Sequence, residues 1–324
     1  MEWHDSPCPD QHLTGTVPMQ QHPAYALACA ALGRRTRWVT LGAPHAPLAS
    51  ALVLSRRWPV FGRAALVSRG PVWHSNLSSQ DRRTALLLLL EHLRKDHSFV
   101  IMTPDPVAGG DPLEGTDLLP MVTPMTLARL CLSGTPADRR ASLHGKWRNR
   151  LVRAEAGGLD VTASPLPADT THWLLQEEAA QSRERRYRRL PPSFAAAWAA
   201  ASPGTATVFT AKIGTDRIAG MLFLRHGSCA SYHVGWSNDT ARAKNAHNLL
   251  MWHAMEYHAR QGVTSMDLDL IDTQSQPGLA RFKLGTGAKP VQLGATRISA
   301  PGTRLMGTLS MGLEDRGFRH LLRH

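Results

Sequence analysis

The sequence predicts an α/β (α+β) protein built as two similar lobes, each a mixed, largely antiparallel sheet flanked by helices. Two observations carry this. In the second half, three β-rich runs joined by tight turns precede a helix, a strand, a second helix and a last strand. In the first half, β-rich runs, a helix and a strand follow one another in a comparable order, without any residue-level repeat between the halves.

Residues 1–17 are polar, proline-containing and aperiodic, and read as a loose lead-in. Residues 22–32 form a helix stopped by Gly33. Runs 51–56 and 63–69 are β-rich and separated by Trp58-Pro59 and Gly62. Ser78 or Ser79 caps a helix reaching about Lys95, and 99–103 is the next strand. The Pro-, Gly- and Asp-rich stretch 104–120 reads as a long loop, of a length that usually accompanies function or mobility. A strand at 126–132 follows, and Pro136 opens one long helix ending at Gly157-Gly158. Helices over 170–186 and 193–201 are parted by Pro191-Pro192. Strands at 207–212, 218–225 and 228–236 then turn at Gly214-Thr215-Asp216 and His226-Gly227 as an antiparallel meander. A helix over 245–260 ends at Gly262, a strand covers 264–270, a short helix carries Arg281-Phe282-Lys283, and 291–298 is the closing strand. The expected division is a lead-in over 1–17, lobes over 18–135 and 136–300, and a tail over 301–324.

Bulk properties exclude several classes. The 324 residues suffice for two modest domains with buried cores, and 43% hydrophobic against 19% charged residues describes a globular rather than a disordered chain. The leucine run 86–90 is far short of the roughly 20 apolar residues a membrane span needs. The start, Met1-Glu2-Trp3-His4-Asp5, has neither a basic leader nor an apolar stretch, so no signal peptide is expected. Cys8, Cys29, Cys131 and Cys229 are scattered and form no Cys-x-x-Cys pair, which argues against a disulfide framework or zinc site and suits the cytoplasm. The formal charge of +12 comes mostly from arginine. It reads either as compositional background or as a surface for polyanions: tRNA, nucleotide-linked substrates, or anionic lipid headgroups contacted peripherally.

The chemistry-bearing residues gather late in the chain. Lys283, beside Phe282 and before the Gly285-Thr286-Gly287 turn, suits a fixed cation that stabilises a tetrahedral oxyanion or holds a donor phosphate, with Phe282 as a pocket wall. The bland alternative is a surface helix ended by glycines. Asp267 and Asp269 alternate with Met266, Leu268 and Leu270, so both carboxylates are expected on one strand face, either facing solvent or serving as a base toward an amine. Arg139, Lys146, Arg150 and Arg153 fall within roughly a 60° sector of one helix, a cationic edge suited to phosphate. Arg183 and Tyr187 share a face if their helix continues that far. His247 and His253 lie six apart, not at the spacing of a helical metal pair, and no metal site is expected. His233 reads as structural or pocket-lining.

The order strand 266–270, helix with Arg281-Phe282-Lys283, glycine turn, strand 291–298 resembles the closing segment of the Fem-type aminoacyltransferases, a branch of the GNAT acyltransferase superfamily. The resemblance runs from about Gln20 to Ile298. It includes the Gln21-His22-Pro23-Ala24-Tyr25 helix start, the basic helix from Lys146 to Glu155, the strand 232–236 and the helix 249–257. It implies two GNAT-like lobes and transfer of an aminoacyl group from tRNA to an amine on a peptidoglycan precursor. Lys283 and Phe282 would flank the transfer centre. Arg183 and Tyr187 would hold the acceptor's phosphates, and Tyr232 would line the same pocket. Two departures stand out: no helical coiled-coil arm, and Arg242-Ala243-Lys244-Asn245-Ala246-His247 where the glycine-bearing acetyl-CoA signature of ordinary GNAT enzymes would fall. The expected function is therefore acyl or aminoacyl transfer onto an amine, with aminoacyl-tRNA or acyl-CoA as co-substrate and no resident cofactor. An acyl-CoA-dependent N-acyltransferase and a non-catalytic tRNA- or polyanion-binding module are the alternatives.

Overall fold

The computed structural model describes residues 1–43, 45–58, 62–105, 110–187 and 189–301, without the side chains of Gln11, His12 and Trp58. Its elements begin with β1 (Trp3–Ser6), α1 (Gln11–Thr14), α2 (Pro23–Ala31), β2 (Arg35–Ala43), β3 (Ala46–Trp58), β4 (Gly62–Ser68) and β5 (Val72–Trp73). Next come α3 (Ser79–Arg94), β6 (Phe99–Thr103), β7 (Leu119–Val122), β8 (Thr126–Cys131), α4 (Pro136–Ser142) and α5 (Gly145–Glu155). Then follow β9 (Asp160–Pro165), α6 (Trp173–Glu184), α7 (Pro192–Ala201), β10 (Ala206–Ile213), β11 (Asp216–His226) and β12 (Cys229–Ser237). The last are α8 (Asp239–Ala243), α9 (Ala246–Arg260), β13 (Ser265–Leu270), α10 (Pro277–Gly285), β14 (Lys289–Gln292) and β15 (Thr296–Ser299).

The chain folds into two compact units, and neither is one continuous stretch. The first comprises 1–9, 34–125 and 292 onward; the second comprises 10–33 and 126–291. This differs from the expected linear division at 135, and strand pairing is the reason. The supposed lead-in holds β1, which pairs antiparallel with β2, while α2 packs against α7 of the second unit. The closing run expected at 291–298 is two strands in two sheets: β14 joins β8, and β15 lies between β6 and β7. The tail beyond Pro301 lies outside the described residues, as do 106–109 of the long loop.

In the first unit the sheet order is β1-β2-β3-β4-β6-β15-β7, with β5 on β3; the β4–β6 pair is parallel, so the sheet is mixed. α3 starts at Ser78, whose hydroxyl accepts from the Asp81 amide. Its leucines Leu86, Leu89, Leu90 and Leu93, at helical spacing, meet Val39, Leu41, Val53, Val67 and Met102 of the strands in one core. The expected leucine helix is this element.

The second unit's sheet runs β14-β8-β13-β12-β11-β10-β9, with β12 and β13 parallel. Alternate residues of β10 and β11 separate its two faces. Phe209, Met221 and Phe223 point toward α9 and α5, in a core with Leu250, Met251, Met255, Trp147 and Leu151. On the opposite face Gly220 lies under α6, where an added Cβ would come 2.6 Å from the Trp173 ring and 2.8 Å from Leu174. The helix expected from 136 to 157 is two helices. Leu143 turns extended (ψ 134°), and the His144 amide leaves the helical ladder to donate to Gly285 O at 2.9 Å.

Candidate functional site in the second unit

β12 and β13 pair side by side for only three residues, Cys229–Ser265, Ala230–Met266 and Ser231–Asp267. Both strands lose regular register at that level. Opposite β11, β12 carries an extra residue at His233; opposite β8, β13 slips between Asp267 and Leu270. A bulge bends its strand and interrupts local pairing. The β12–β13 ladder therefore ends at the carboxyl ends of a parallel pair, the place where open α/β sheets take ligands.

Asp267 and Asp269 do not share one regular strand face. Asp269 adopts a left-handed conformation (φ 67°), and its amide donates to Asp267 Oδ1 at 2.9 Å, so the carboxylate of one residue sets the backbone of the other. Asp269 is exposed and Asp267 half-buried. α10 delivers Lys283 to the same place. Its Nζ donates to Leu270 O at 2.8 Å, and the residue is 2% exposed. Burial pulls the Lys283 amine below the ordinary lysine range, while the charges of Asp269 and then Asp267 pull it back up. An ammonium has three N–H donors, and Leu270 takes one.

The register of α10 is fixed by close packing. Gly285 lies against the indole of Trp147 on α5, where an added Cβ would be 2.6 Å from Cδ1. Phe282, half-buried, sits 6.1 Å from the Trp147 ring and 6.2 Å from the His247 ring. Lys283 and Phe282 are therefore held on adjacent positions of a docked helix, not on a free surface turn.

Tyr232, the first β12 residue past the parallel pairing, lies folded over its own strand: a Cβ at Gly235 would collide with its hydroxyl. Burial raises its phenol, with further upward contributions from Tyr187, Asp269 and Glu178. Tyr187 donates to Glu178 Oε1 at 3.0 Å and accepts from the Gln181 amide at 3.1 Å. Arg189 ion-pairs with Glu178 and donates to Ser182 Oγ at 3.0 Å. Glu178 is buried, and desolvation pushes its carboxyl up against the pull of Tyr187 and Arg189. α6 ends at Glu184, and Arg186 turns left-handed (φ 55°), so Tyr187 is off the helix and does not share a face with exposed Arg183. Arg189 is the guanidinium beside Tyr187. Glu178, Gln181 and Arg189 were missed in the sequence; the available signal was an acid at i+3 and i+4 from Leu175 and Leu174, on the buried side of α6.

The structure places only part of the expected cationic edge on one helix. Lys146, Arg150 and Arg153 are exposed on α5, opposite buried Trp147, Leu151 and Ala154. Arg139 belongs to α4, is buried, and is spent on structure: it grips Glu256 with both arms (2.7 and 2.9 Å) and donates to Leu132 O and Gly134 O. Among the described residues no group of three His, Cys, Asp or Glu could hold a metal.

A CoA pyrophosphate would need the amino end of α9. There Asn245 takes the left-handed conformation (φ 55°) that glycine favours, and Asn248 Nδ2 is buried without a partner in the first turn. The neighbouring cations are committed elsewhere. Arg242 bonds Ser237 O and Asp239, and Lys244 bonds Gly157 O at 3.2 Å. The helix end thus offers its dipole and one amide without the glycines, and the cations Arg242 and Lys244 are engaged.

Residues 138–284 match the model of the acetyltransferase (GNAT) domain family. This segment is a GNAT domain. Among solved structures, FemX superposes with a TM-score of 0.75 at 14% identity, over 95% of this chain and all of that one. The tandem GNAT protein from the clavulanic acid biosynthesis pathway gives 0.53 at 12% identity, covering 93% of this chain and 98% of the other. L-PGS from Bacillus licheniformis gives 0.50 at 12%, over 93% and 99%. No curated protein matches the chain by sequence. The chain is a tandem of two GNAT-like lobes, each a mixed sheet flanked by helices, as its element order predicted. No helix among the described residues is long and apolar enough to cross a membrane.

Proposed function

We propose that the GNAT domain transfers an acyl or aminoacyl group from an activated ester to an amine at the carboxyl ends of β12 and β13. The observation that carries this is a lysine ammonium, buried to 2% exposure and flanked by two carboxylates, at the point where the pairing of two parallel strands ends. The acceptor nitrogen attacks the donor carbonyl, a C–N bond forms, and the oxygen becomes an oxyanion. The remaining N–H bonds of Lys283, itself buried, stabilise that charge. Asp269, the exposed carboxylate, takes the proton released by the nitrogen. The C–O bond to the donor then breaks, and its oxygen leaves with the proton that Asp269 had taken. Phe282 walls the site, and Tyr232 with the Tyr187–Glu178–Arg189 group lines its other side.

The resemblance to Fem-type enzymes and the FemX superposition support aminoacyl-tRNA as donor and a cell-envelope precursor of peptidoglycan type as acceptor. Exposed Lys146, Arg150 and Arg153 suit donor or acceptor phosphates, and Tyr187 with Arg189, rather than Arg183, suits the acceptor. The unpartnered Asn248 amide favours a second reading, with an acyl-CoA pyrophosphate at α9. Incubating the protein with total charged tRNA, or with an acyl-CoA panel, and following each donor by mass spectrometry separates the two. Selective loss of one aminoacyl-tRNA beyond spontaneous hydrolysis is expected. Loss of a CoA thioester instead would replace the first reading by the second.

A further inference from the structure

The first unit brings a serine, a histidine and an aspartate together, on residues outside the matched GNAT segment. Ser55 Oγ lies 2.8 Å from His97 Nε2. His97 Nδ1 lies 3.1 Å from Leu93 O and 2.8 Å from Asp96 Oδ1. Two acceptors face Nδ1, so that nitrogen carries the ring proton. Nε2 then keeps its lone pair, and the Ser55 hydroxyl donates to it. This is the tautomer in which an imidazole serves as base toward a serine. Both arms of Arg37 grip Asp96, at 3.0 and 3.4 Å, and fix the carboxylate beside the ring.

Two elements build this group. Asp96 and His97 lie just past the end of α3, and Ser55 is on β3. Val53, two residues before Ser55, packs in the core under α3, so Ser55 and Arg57 share the face that α3 covers. Arg63 is directly opposite Arg57 across the β3–β4 ladder, on that same face. Like charges in that relation destabilise a sheet, so the pair is better explained by an anionic ligand than by the strands. Arg57 and Arg63 are exposed, Ser55 is half-buried and His97 is buried. Both arginines, Lys95, Asp96 and His97 line one groove of about 500 Å³.

We propose that Ser55 is the nucleophile of a separate site that hydrolyses carboxylic esters bearing a negative charge. Ser55 Oγ bonds to the ester carbonyl carbon while His97 Nε2 takes the hydroxyl proton. Asp96 lies against the imidazolium that results. Guanidinium N–H groups of Arg57 and Arg63 stabilise the oxyanion and hold the anionic group of the substrate. The ester C–O bond breaks, and the alcohol leaves with the proton from His97. Water, deprotonated by the same nitrogen, then releases the acid and restores Ser55. None of this rests on the chemistry at Lys283.

The test is reaction of the full chain with a fluorophosphonate, which phosphonylates serines activated by a histidine base, followed by peptide mass mapping. An adduct on Ser55 is expected, formed at least about a hundredfold more slowly in His97→Gln. Hydrolysis gives a second readout. After correction for uncatalysed rates, 4-acetoxybenzoate should exceed neutral phenyl acetate in kcat/KM by roughly tenfold or more, about 1.4 kcal/mol. Arg57→Ala/Arg63→Ala should remove that preference, and Ser55→Ala should stop turnover of both esters. Wild-type protein that leaves Ser55 unmodified, under conditions that label a known serine hydrolase, would overturn the proposal and assign the group to structure alone. So would an adduct that forms as fast in a folded His97→Gln protein. Equal corrected rates on the two esters would overturn the assignment of an anionic substrate.

Discussion

At the scale of single residues, Lys283 is the group with most to lose. Its amine is buried, and burial lowers its pKa from the ordinary 10.5. The folded protein therefore binds this proton less tightly than the unfolded chain. Between the folded value and 10.5 this group makes stability rise with pH, because its buried charge is relieved. The proposed transfer needs the charge, so activity should move the opposite way: kcat/KM should fall on an alkaline limb lying below 10.5. Lys283→Arg, which stays charged, should remove that limb; a limb unchanged in the arginine variant would assign it to another group. Tyr232 offers a second check. Gly235→Ala puts a methyl where the Tyr232 hydroxyl lies, and should cost about 1–3 kcal/mol by overpacking. Adding Tyr232→Phe, which deletes that oxygen, should recover part of the loss in denaturant melts. Independent, additive effects would mean that the two groups are not in contact.

At the scale of elements, the site is made where regular structure stops. β12 and β13 stop pairing after three shared pairs, α6 stops at Glu184, and the basic helix breaks at Leu143. Strands and helices were legible because their periodicity follows from burial: the 207–236 meander, the leucines of α3 and the short helix with Lys283 were all found where they lie. The breaks were not legible, because each depends on a partner distant in sequence. His144 leaves its helix for Gly285, and Asp269 twists to bond Asp267 beside a slipped β8 register. The same blindness placed Arg139 on the cationic edge, when Glu256, more than a hundred residues on, had claimed it. Glu178 was overlooked because an acid on an apolar stripe looks like noise until Tyr187 and Arg189 close around it. Glu178→Ala, which strands Arg189 beside a half-buried tyrosine, should destabilise the protein by about 3–5 kcal/mol, and Glu178→Gln by less. A thermal shift within error of wild type for both would show that this group is not structural support.

At the scale of the whole molecule, two lobes were expected and two are present, but the chain threads between them, and short segments at both ends go to lobes that linear reading did not assign. The formal charge of +12 is a global property with local structure. Part is neutralised in bidentate pairs such as Arg139–Glu256 and Arg140–Glu155, and part is left exposed on α5 and at Arg57, Arg63 and Lys95. Acid should act globally as well. His22 and His258 are buried with pKa values pulled down to about 4, by desolvation first and by Arg225 second. Both are neutral in the fold and take up protons readily when unfolded. The contribution of these two groups to stability should therefore fall as pH drops from 6.5 toward 4, and level off below. His258 has no partner for either ring nitrogen among the described residues and packs against Phe209, Phe223 and Tyr257. His258→Phe should flatten that acid slope in pH-dependent melts; an unchanged slope would locate the sensitivity in other groups.

The measurement that bears most directly on the proposed chemistry is single-turnover transfer by wild type and Lys283→Ala, with the donor identified from the panel. The buried ammonium predicts a fall of about 10²–10³ in the transfer rate. Donor binding and the circular-dichroism spectrum should be retained. A folded Lys283→Ala protein that transfers at the wild-type rate would contradict the account and move the reaction away from the carboxyl ends of β12 and β13.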